Sequence, residues 1–350
     1  MAITKLKIEE FLNLSKQYPV LDVRSPGEYL HAHIPGAHSL PLFTDEERKQ
    51  VGTAYKQQSR EVAIKLGLDF FGPKMRTMVE EAEKLTKQLP SPTTNCILVH
   101  CWRGGMRSAG VAWLLDLYGF KVCTLIGGYK TYRQWTLEQL SKPYELKILG
   151  GYTGSGKTLV LHELKKKGEA VVDLEALAHH KGSAFGDLGE QPQPSPEMFE
   201  NKLAMELSGI SESKTIWLED ESQRIGHINI PHIFWQTMRK APVYFLDISF
   251  EERLEHIVAG YSCYPKEKLV NAIIRIKKRL GGQETKNAIN FLLDDDHKQA
   301  FSILLKYYDK YYLKGLYNRE HADELIQKID CEKVDAVTNT LKLVTNKQVV

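Results

Sequence analysis

Two glycine-rich loops constrain this chain more than any other feature. One is Cys101-Trp102-Arg103-Gly104-Gly105-Met106-Arg107 and the other is Gly151-Tyr152-Thr153-Gly154-Ser155-Gly156-Lys157-Thr158. The first follows the apolar run Ile97-Leu98-Val99-His100, the second follows Leu146-Lys147-Ile148-Leu149, and each opens a helix-like stretch. A strand–loop–helix element surrounds an anion with backbone N–H groups and the positive end of a helix dipole. One loop adds a thiol to this design and the other adds a lysine.

The chain has room for both elements in separate cores: it has 350 residues, 42% of them hydrophobic. A formal net charge of +3 does not by itself demand a polyanionic partner. No run of eighteen apolar residues predicts a membrane span, and residues 1–10 carry no apolar signal core, so secretion is not expected. The five cysteines are odd in number and form no CxxC pair. This pattern predicts a cytoplasmic protein with one reactive thiol rather than a disulfide framework or a zinc site.

Strands alternate with helices along most of the chain, which predicts parallel sheets with right-handed crossovers. An amphipathic helix is expected over residues 6–18 and a short buried strand over 19–24. His33-Ile34-Pro35-Gly36-Ala37-His38 reads as a turn, residues 44–90 as inserted helices and Ser91-Pro92-Thr93-Thr94 as a loop. Ser141-Lys142-Pro143 reads as a linker, after which the alternation restarts. The expected organisation is an α/β domain over 1–140, a second α/β domain over 145–262, and a mainly helical C-terminal extension over 263–350. Residues 179–196, rich in glycine and proline, read as a long loop of the kind that carries chemistry.

In the first loop, amide donors, Arg103, Arg107 and the helix N-terminus all favour a thiolate at Cys101. The same ring of donors can hold a persulfide or a tetrahedral oxyanion. A small buried cysteine at a strand end is the plainer alternative, but two arginines and two glycines around Cys101 argue for chemistry. Cys96 and Cys123 read as core.

These residues, with Leu21-Asp22-Val23-Arg24-Ser25-Pro26-Gly27-Glu28-Tyr29, His33-Ile34-Pro35-Gly36-Ala37 and Leu125-Ile126-Gly127-Gly128-Tyr129, resemble the rhodanese family over about residues 4–140. The resemblance implies a rhodanese-like parallel-sheet fold and a sulfur or selenium atom carried on Cys101. The 44–90 insertion is longer than a plain rhodanese needs and argues against a simple thiosulfate sulfurtransferase.

The second loop fits the Walker A pattern, Gly151-x-x-x-x-Gly156-Lys157-Thr158, in its confirming strand-to-helix context. Gly151, Gly154, Ser155 and Gly156 supply a phosphate cradle, Lys157 reaches outer phosphates and Thr158 can ligate Mg²⁺. Asp173, Asp220 and Asp247 each end a strand, and Asp173 is the preferred acidic partner for the ion. No Asn-Lys-x-Asp motif marks a purine base, so phosphate binding is the firmer expectation and nucleotide hydrolysis the weaker one. Between residues 262 and 320, twelve Lys/Arg face seven Asp/Glu. Arg275, Lys278 and their neighbours could contact an RNA backbone, and Tyr307, Tyr308, Tyr311 and Tyr312 could stack bases. Helix packing also explains the tyrosines and, taken alone, is the preferred reading. His180 and Lys181 open the long loop near the phosphate site and are further candidates for substrate contact.

A rhodanese-like half followed by a P-loop half with a helical appendage, together with Asp173-Leu174-Glu175-Ala176-Leu177-Ala178-His179-His180-Lys181-Gly182-Ser183-Ala184-Phe185-Gly186 and Glu219-Asp220-Glu221-Ser222-Gln223-Arg224-Ile225-Gly226, resembles the tRNA 2-selenouridine synthase family nearly end to end. That resemblance implies exchange of the sulfur of a wobble 2-thiouridine for selenium from selenophosphate, through S-geranylation with geranyl diphosphate. It implies tRNA as partner, with Lys, Glu and Gln acceptors as the expected set, and makes a selenophosphate-supplying enzyme a candidate partner. No tightly bound cofactor is expected, and Mg²⁺ is a candidate ion. Arg103, Arg107, Lys130 and Arg133 become candidates to hold the tRNA or a selenium oxyanion. The competing readings are a P-loop-dependent sulfurtransferase acting on a protein or small thiol, and a phosphate-sensing module on a degenerate rhodanese fold. The intact Cys101 speaks against the last.

Overall fold

The computed structural model describes residues 3–87 and 95–345; the loop expected at Ser91–Thr94 lies outside them. The chain divides into two compact units, Met1–Gln139 and Leu140–Val350. Among the described residues, no helix is long and apolar enough to cross a membrane.

In the first unit, strands β1 (Thr4–Leu6), β2 (Val20–Asp22), β3 (His38–Ser39), β4 (Cys96–His100) and β5 (Lys121–Leu125) form one parallel sheet in the order β1-β5-β4-β2-β3. The central strand β4 is buried along its whole length, as a strand covered on both faces must be. The insertion is three helices, Asp45–Gln57, Arg60–Phe71 and Met75–Lys87, with a 3₁₀ turn before the last. Thr44 and Ser59 cap the first two of them. Phe71, Met78 and Ala82 pack into the same core as Val99, Val111 and Leu115, so the insertion covers the sheet rather than looping away from it. The helix expected over 6–18 is shorter, Ile8–Leu14.

The buried Asp22–Arg24 pair explains one of the motifs read from the sequence. The Arg24 Nε donates to both Asp22 carboxylate oxygens at 3.0 Å, and its Nη2 donates to the Ala32 carbonyl at 2.7 Å. The guanidinium lies 3.8 Å over the Tyr129 ring. A charge taken out of water is tolerated because a carboxylate, a carbonyl and an aromatic ring engage it.

In the second unit, strands β6 (Leu146–Gly151), β7 (Ala170–Val171), β8 (Ile216–Glu219), β11 (Val243–Asp247) and β12 (Ile326–Asp330) form a second parallel sheet in the order β12-β11-β6-β8-β7. Strands β9 (Arg224–Ile225) and β10 (Ile228–Asn229) make a separate two-stranded ribbon. β6 is central and the chain builds outward on both sides of it, so its carboxyl end opens at the crevice where such sheets bind ligands.

The tail is helical where expected, at Lys266–Leu280, Gly282–Leu293 and His297–Leu316. It is not separate from the sheet, however, because β12 returns as the edge strand beside β11. Its sequence, Ile326-Gln327-Lys328-Ile329-Asp330, buries only Ile329 and exposes its polar residues. An edge strand tolerates that pattern, and an apolar-run search passes over it.

Candidate functional site

The cysteine loop sits at the carboxyl end of β4. Cys101 is 3% exposed, and its Sγ lies 3.2 Å from the Ser108 Oγ. Ser108 belongs to the following helix, Met106–Tyr118. Burial pushes the thiol up. The Ser108 hydroxyl and N–H, the Arg107 charge and the Arg103 N–H together outweigh burial and hold the thiol below its usual range. Gly104 has φ +64°, and a Cβ there would lie 2.7 Å from the Leu125 carbonyl oxygen. Only glycine lets the loop cross that strand end so closely.

The turn after β5 closes on the same loop. The Tyr129 N–H donates to the Cys101 carbonyl at 2.8 Å and the Lys130 N–H to the Trp102 carbonyl at 2.9 Å. Arg107 reaches back to Glu28, its Nη1 donating to Oε2 at 2.8 Å, with Arg48 3.1 Å from the same oxygen. Burial opposes ionisation of Glu28, but Arg107 and the Ser25 N–H hold its carboxyl at about 2. Arg107 thus helps the thiolate while anchored by a carboxylate. Arg103 and Lys130 are exposed and Arg133 is half-buried on the helix Gly128–Leu140.

The phosphate loop joins β6 to the helix Lys157–Lys166. Gly154 has φ +83°, and a Cβ there would press on Ile257 at 2.7 Å. The Lys157 Nζ donates to the Gly151 carbonyl at 3.1 Å and lies 3.5 Å from the Glu219 Oε1. The Thr158 hydroxyl lies 3.3 Å from the Glu175 Oε2 and 3.1 Å from the Glu219 Oε2. Glu175, Glu219 and Glu221 each bring a carboxylate oxygen to within 4.8 Å of the others.

Three carboxylates so close resist ionising together. Burial, then the charges of Glu219 and Glu221, push Glu175 up to about 10. Burial and Glu219 push Glu221 up to about 8. Burial raises Glu219 as well, against the pull of Lys157. An oxygen-only donor set beside the P-loop threonine fits a hard divalent cation such as Mg²⁺. When bound, such an ion would neutralise the carboxylates and draw electron density from a departing phosphate oxygen.

Asp173, the acidic partner expected from the sequence, is used otherwise. It caps the helix Leu174–Ala178 by accepting the Ala176 N–H at 2.9 Å, and its other oxygen lies 3.2 Å from the His162 Nε2. Asp220 accepts from the Tyr312 hydroxyl at 2.8 Å and pairs with Arg319. Asp247 lies 3.7 Å from the Lys328 Nζ.

The comparisons with known proteins match each of the two units separately. The family model described as the tRNA 2-selenouridine synthase AAA domain matches residues 144–343. The model described as a rhodanese-like domain matches residues 7–134. A tRNA 2-selenouridine synthase of Shewanella halifaxensis is 34% identical over 94% of this chain and 97% of its own length. Counterparts of the same name from Cupriavidus pinatubonensis (34% identity; 84% of this chain, 87% of the relative) and Bdellovibrio bacteriovorus (38%; 75% and 69%) are similar too.

The chain belongs to the tRNA 2-selenouridine synthase family.

In this family member the structure accounts for the remaining sequence candidates. Residues 179–195 contain neither helix nor strand. Lys181 pairs with Glu190 at 3.0 Å, and Arg275 grips Asp187 through two bonds of 2.7 and 3.0 Å. Those residues organise the loop itself. His180 is buried and its Nδ1 has no hydrogen-bond partner among the described residues; burial lowers its pKa. Lys278 stands exposed on the helix Lys266–Leu280.

Sequence reasoning missed Glu175, Glu219 and Glu221 as a group, although all three lie inside the quoted family segments. It also missed two supports of the phosphate loop. Tyr312 accepts the Gly151 N–H through its hydroxyl at 3.0 Å. Arg253 donates to the Thr153 carbonyl at 3.0 Å while held by Asp309 at 2.8 and 2.9 Å.

Proposed function

We propose that this chain is a tRNA-modifying transferase that replaces the sulfur of a wobble 2-thiouridine with selenium. The 2-thiouridine sulfur attacks C1 of geranyl diphosphate, forming a C–S bond as the C–O bond breaks and pyrophosphate departs. Selenium from selenophosphate then bonds to C2, geranylthiol leaves, and water takes up the phosphoryl group. Alkylation is the useful step because a thiocarbonyl sulfur is a poor leaving group and a neutral thiol is a better one.

The observation that carries this reading is the phosphate loop with its three carboxylates. Lys157, Thr158, Glu175, Glu219 and Glu221 together suit a diphosphate and its divalent counter-ion, where developing charge on pyrophosphate is stabilised. Selenophosphate suits the same cradle. Cys101, held toward its thiolate, serves the chalcogen exchange by attacking C2 as geranylthiol leaves, and is itself displaced as thiolate when selenium bonds to C2. The names of the family relatives support tRNA as the substrate.

Mass spectrometry of bulk tRNA nucleosides, from cells with and without this protein, tests the proposal. Loss of 2-selenouridine with retention of 2-thiouridine is expected in the deletion. Unchanged 2-selenouridine would overturn it.

A further inference from the structure

The helix His297–Leu316 presents two chemically opposite faces. At 100° per residue, Tyr308, Asp309 and Tyr312 fall on one side. They hold the Ala184 N–H, Arg253 and the Gly151 N–H respectively. Lys306, Tyr307, Lys310, Tyr311 and Lys314 fall within a single arc on the other side, with Tyr317 following just past the helix end.

That outer face carries no carboxylate. Lys306, Lys310 and Lys314 are exposed, and among the described residues none of them forms an ion pair. They repeat at i, i+4, i+8, which lines them up over about 12 Å of helix. Tyr311 is 42% exposed and Tyr317 48% exposed. The Tyr307 and Tyr311 ring centroids are 4.8 Å apart. The Arg279 charge acts on Tyr307, which places the basic last turn of the helix Lys266–Leu280 near the same face.

We infer that this outer face docks RNA, its lysines on backbone phosphates and Tyr311 and Tyr317 against unpaired bases. Lysines interleaved with exposed aromatic rings match the two chemistries a single-stranded or looped RNA offers, negative backbone and π-faces. An acidic protein would need the charges but leave the rings without use. The same helix holds the phosphate loop on its inner side, so docked RNA is brought to the donor site by one rigid element. The inference rests on the tRNA reading proposed above and assigns it a surface.

The test uses the full chain and a thiolated tRNA. The triple variant Lys306→Ala, Lys310→Ala, Lys314→Ala and, separately, Tyr311→Ala alter only exposed side chains. Binding is measured by fluorescence anisotropy across a salt series, with selenation measured at saturating tRNA. The triple variant is expected to bind at least tenfold more weakly, with the log K against log salt slope reduced by about two to three. Tyr311→Ala is expected to weaken binding with the slope unchanged, and turnover at saturating tRNA is expected to stay at the wild-type level in both. Unaltered affinity and slope in the triple variant, with normal binding by the wild type, would overturn the docking face and leave the proposed function standing. A wild type with no affinity for the tRNA would remove both.

Discussion

The Tyr312 hydroxyl accepts the backbone N–H of Gly151 at 3.0 Å, across 161 residues of sequence. The first residue of the phosphate loop is therefore held from a helix in the tail. The same hydroxyl donates to Asp220 at 2.8 Å, and burial beside Asp220 holds Tyr312 well above the usual tyrosine range. Tyr312→Phe keeps the ring and removes both bonds. It leaves a buried N–H unpaired, which costs about 1–3 kcal/mol. The expected outcome is a lower unfolding temperature for the second unit and a higher KM for the diphosphate donor. Thiolate formation at Cys101 should be unchanged. A variant with wild-type KM and stability would show that the contact does not support the loop.

The Ser108 hydroxyl is the foremost influence lowering the Cys101 thiol against burial. Ser108→Ala should raise the thiol pKa, so the thiolate fraction at neutral pH falls and the activity–pH profile moves to higher pH. The sign for stability follows from linkage. A folded thiol that titrates below the unfolded one adds stability above its unfolded value, and that increment is lost as pH falls through the folded value. Ultraviolet thiolate absorbance during pH titration, with Cys101→Ser as the blank, reads the shift. An unmoved titration in Ser108→Ala would discard this account of the thiol.

Glu175 and Glu221, at about 10 and about 8, hold protons in the folded state that an unfolded glutamate has already released. Their contribution to stability is thus complete below the unfolded carboxylate value and is lost as pH rises through the folded values. With a chelator present, the unfolding temperature of the second unit should decline from about pH 5 to about pH 9. Added Mg²⁺ should reverse the decline, most strongly at the alkaline end, because it binds the ionised cluster. In Glu219→Gln the alkaline decline should shrink and the Mg²⁺ effect should largely disappear. Calorimetry with and without Mg²⁺ checks both, and a wild type indifferent to Mg²⁺ at high pH would show that the cluster is not a cation site.

The two loops were legible because each is local: strand, glycines, reactive residue and helix follow one another within about ten residues. The alternation of strands and helices gave both parallel sheets for the same reason. The acidic cluster was not legible, since Glu175 comes from a short helix while Glu219 and Glu221 come from a strand end and the turn beyond it. Asp173 ends its strand as a metal-binding aspartate would, yet a helix begins one residue later and takes its side chain. The tyrosines at 307, 308, 311 and 312 read first as helix packing, which fits Tyr308 and Tyr312 on the inner side. Tyr311 is exposed instead, because adjacent residues on a helix point about 100° apart. Strand β12 escaped notice because an edge position asks for little hydrophobicity.

Lys157 and Cys101 lie in different units, and the proposed chemistry assigns them different steps. Lys157→Ala removes the charge that meets the outer phosphates and should abolish geranylation, and with it selenation, in a reaction with purified tRNA and geranyl diphosphate. Cys101→Ser should retain geranylation and accumulate S-geranyl-2-thiouridine while 2-selenouridine is lost. Supplying pre-geranylated tRNA separates the steps further. Lys157→Ala should then recover selenation if the phosphate loop serves the prenyl donor alone, and should remain inactive if selenophosphate uses the same cradle. Nucleoside mass spectrometry reads all of these products at once. Wild-type 2-selenouridine in Cys101→Ser would remove Cys101 from the mechanism, and full geranylation in Lys157→Ala would remove the phosphate loop from diphosphate binding.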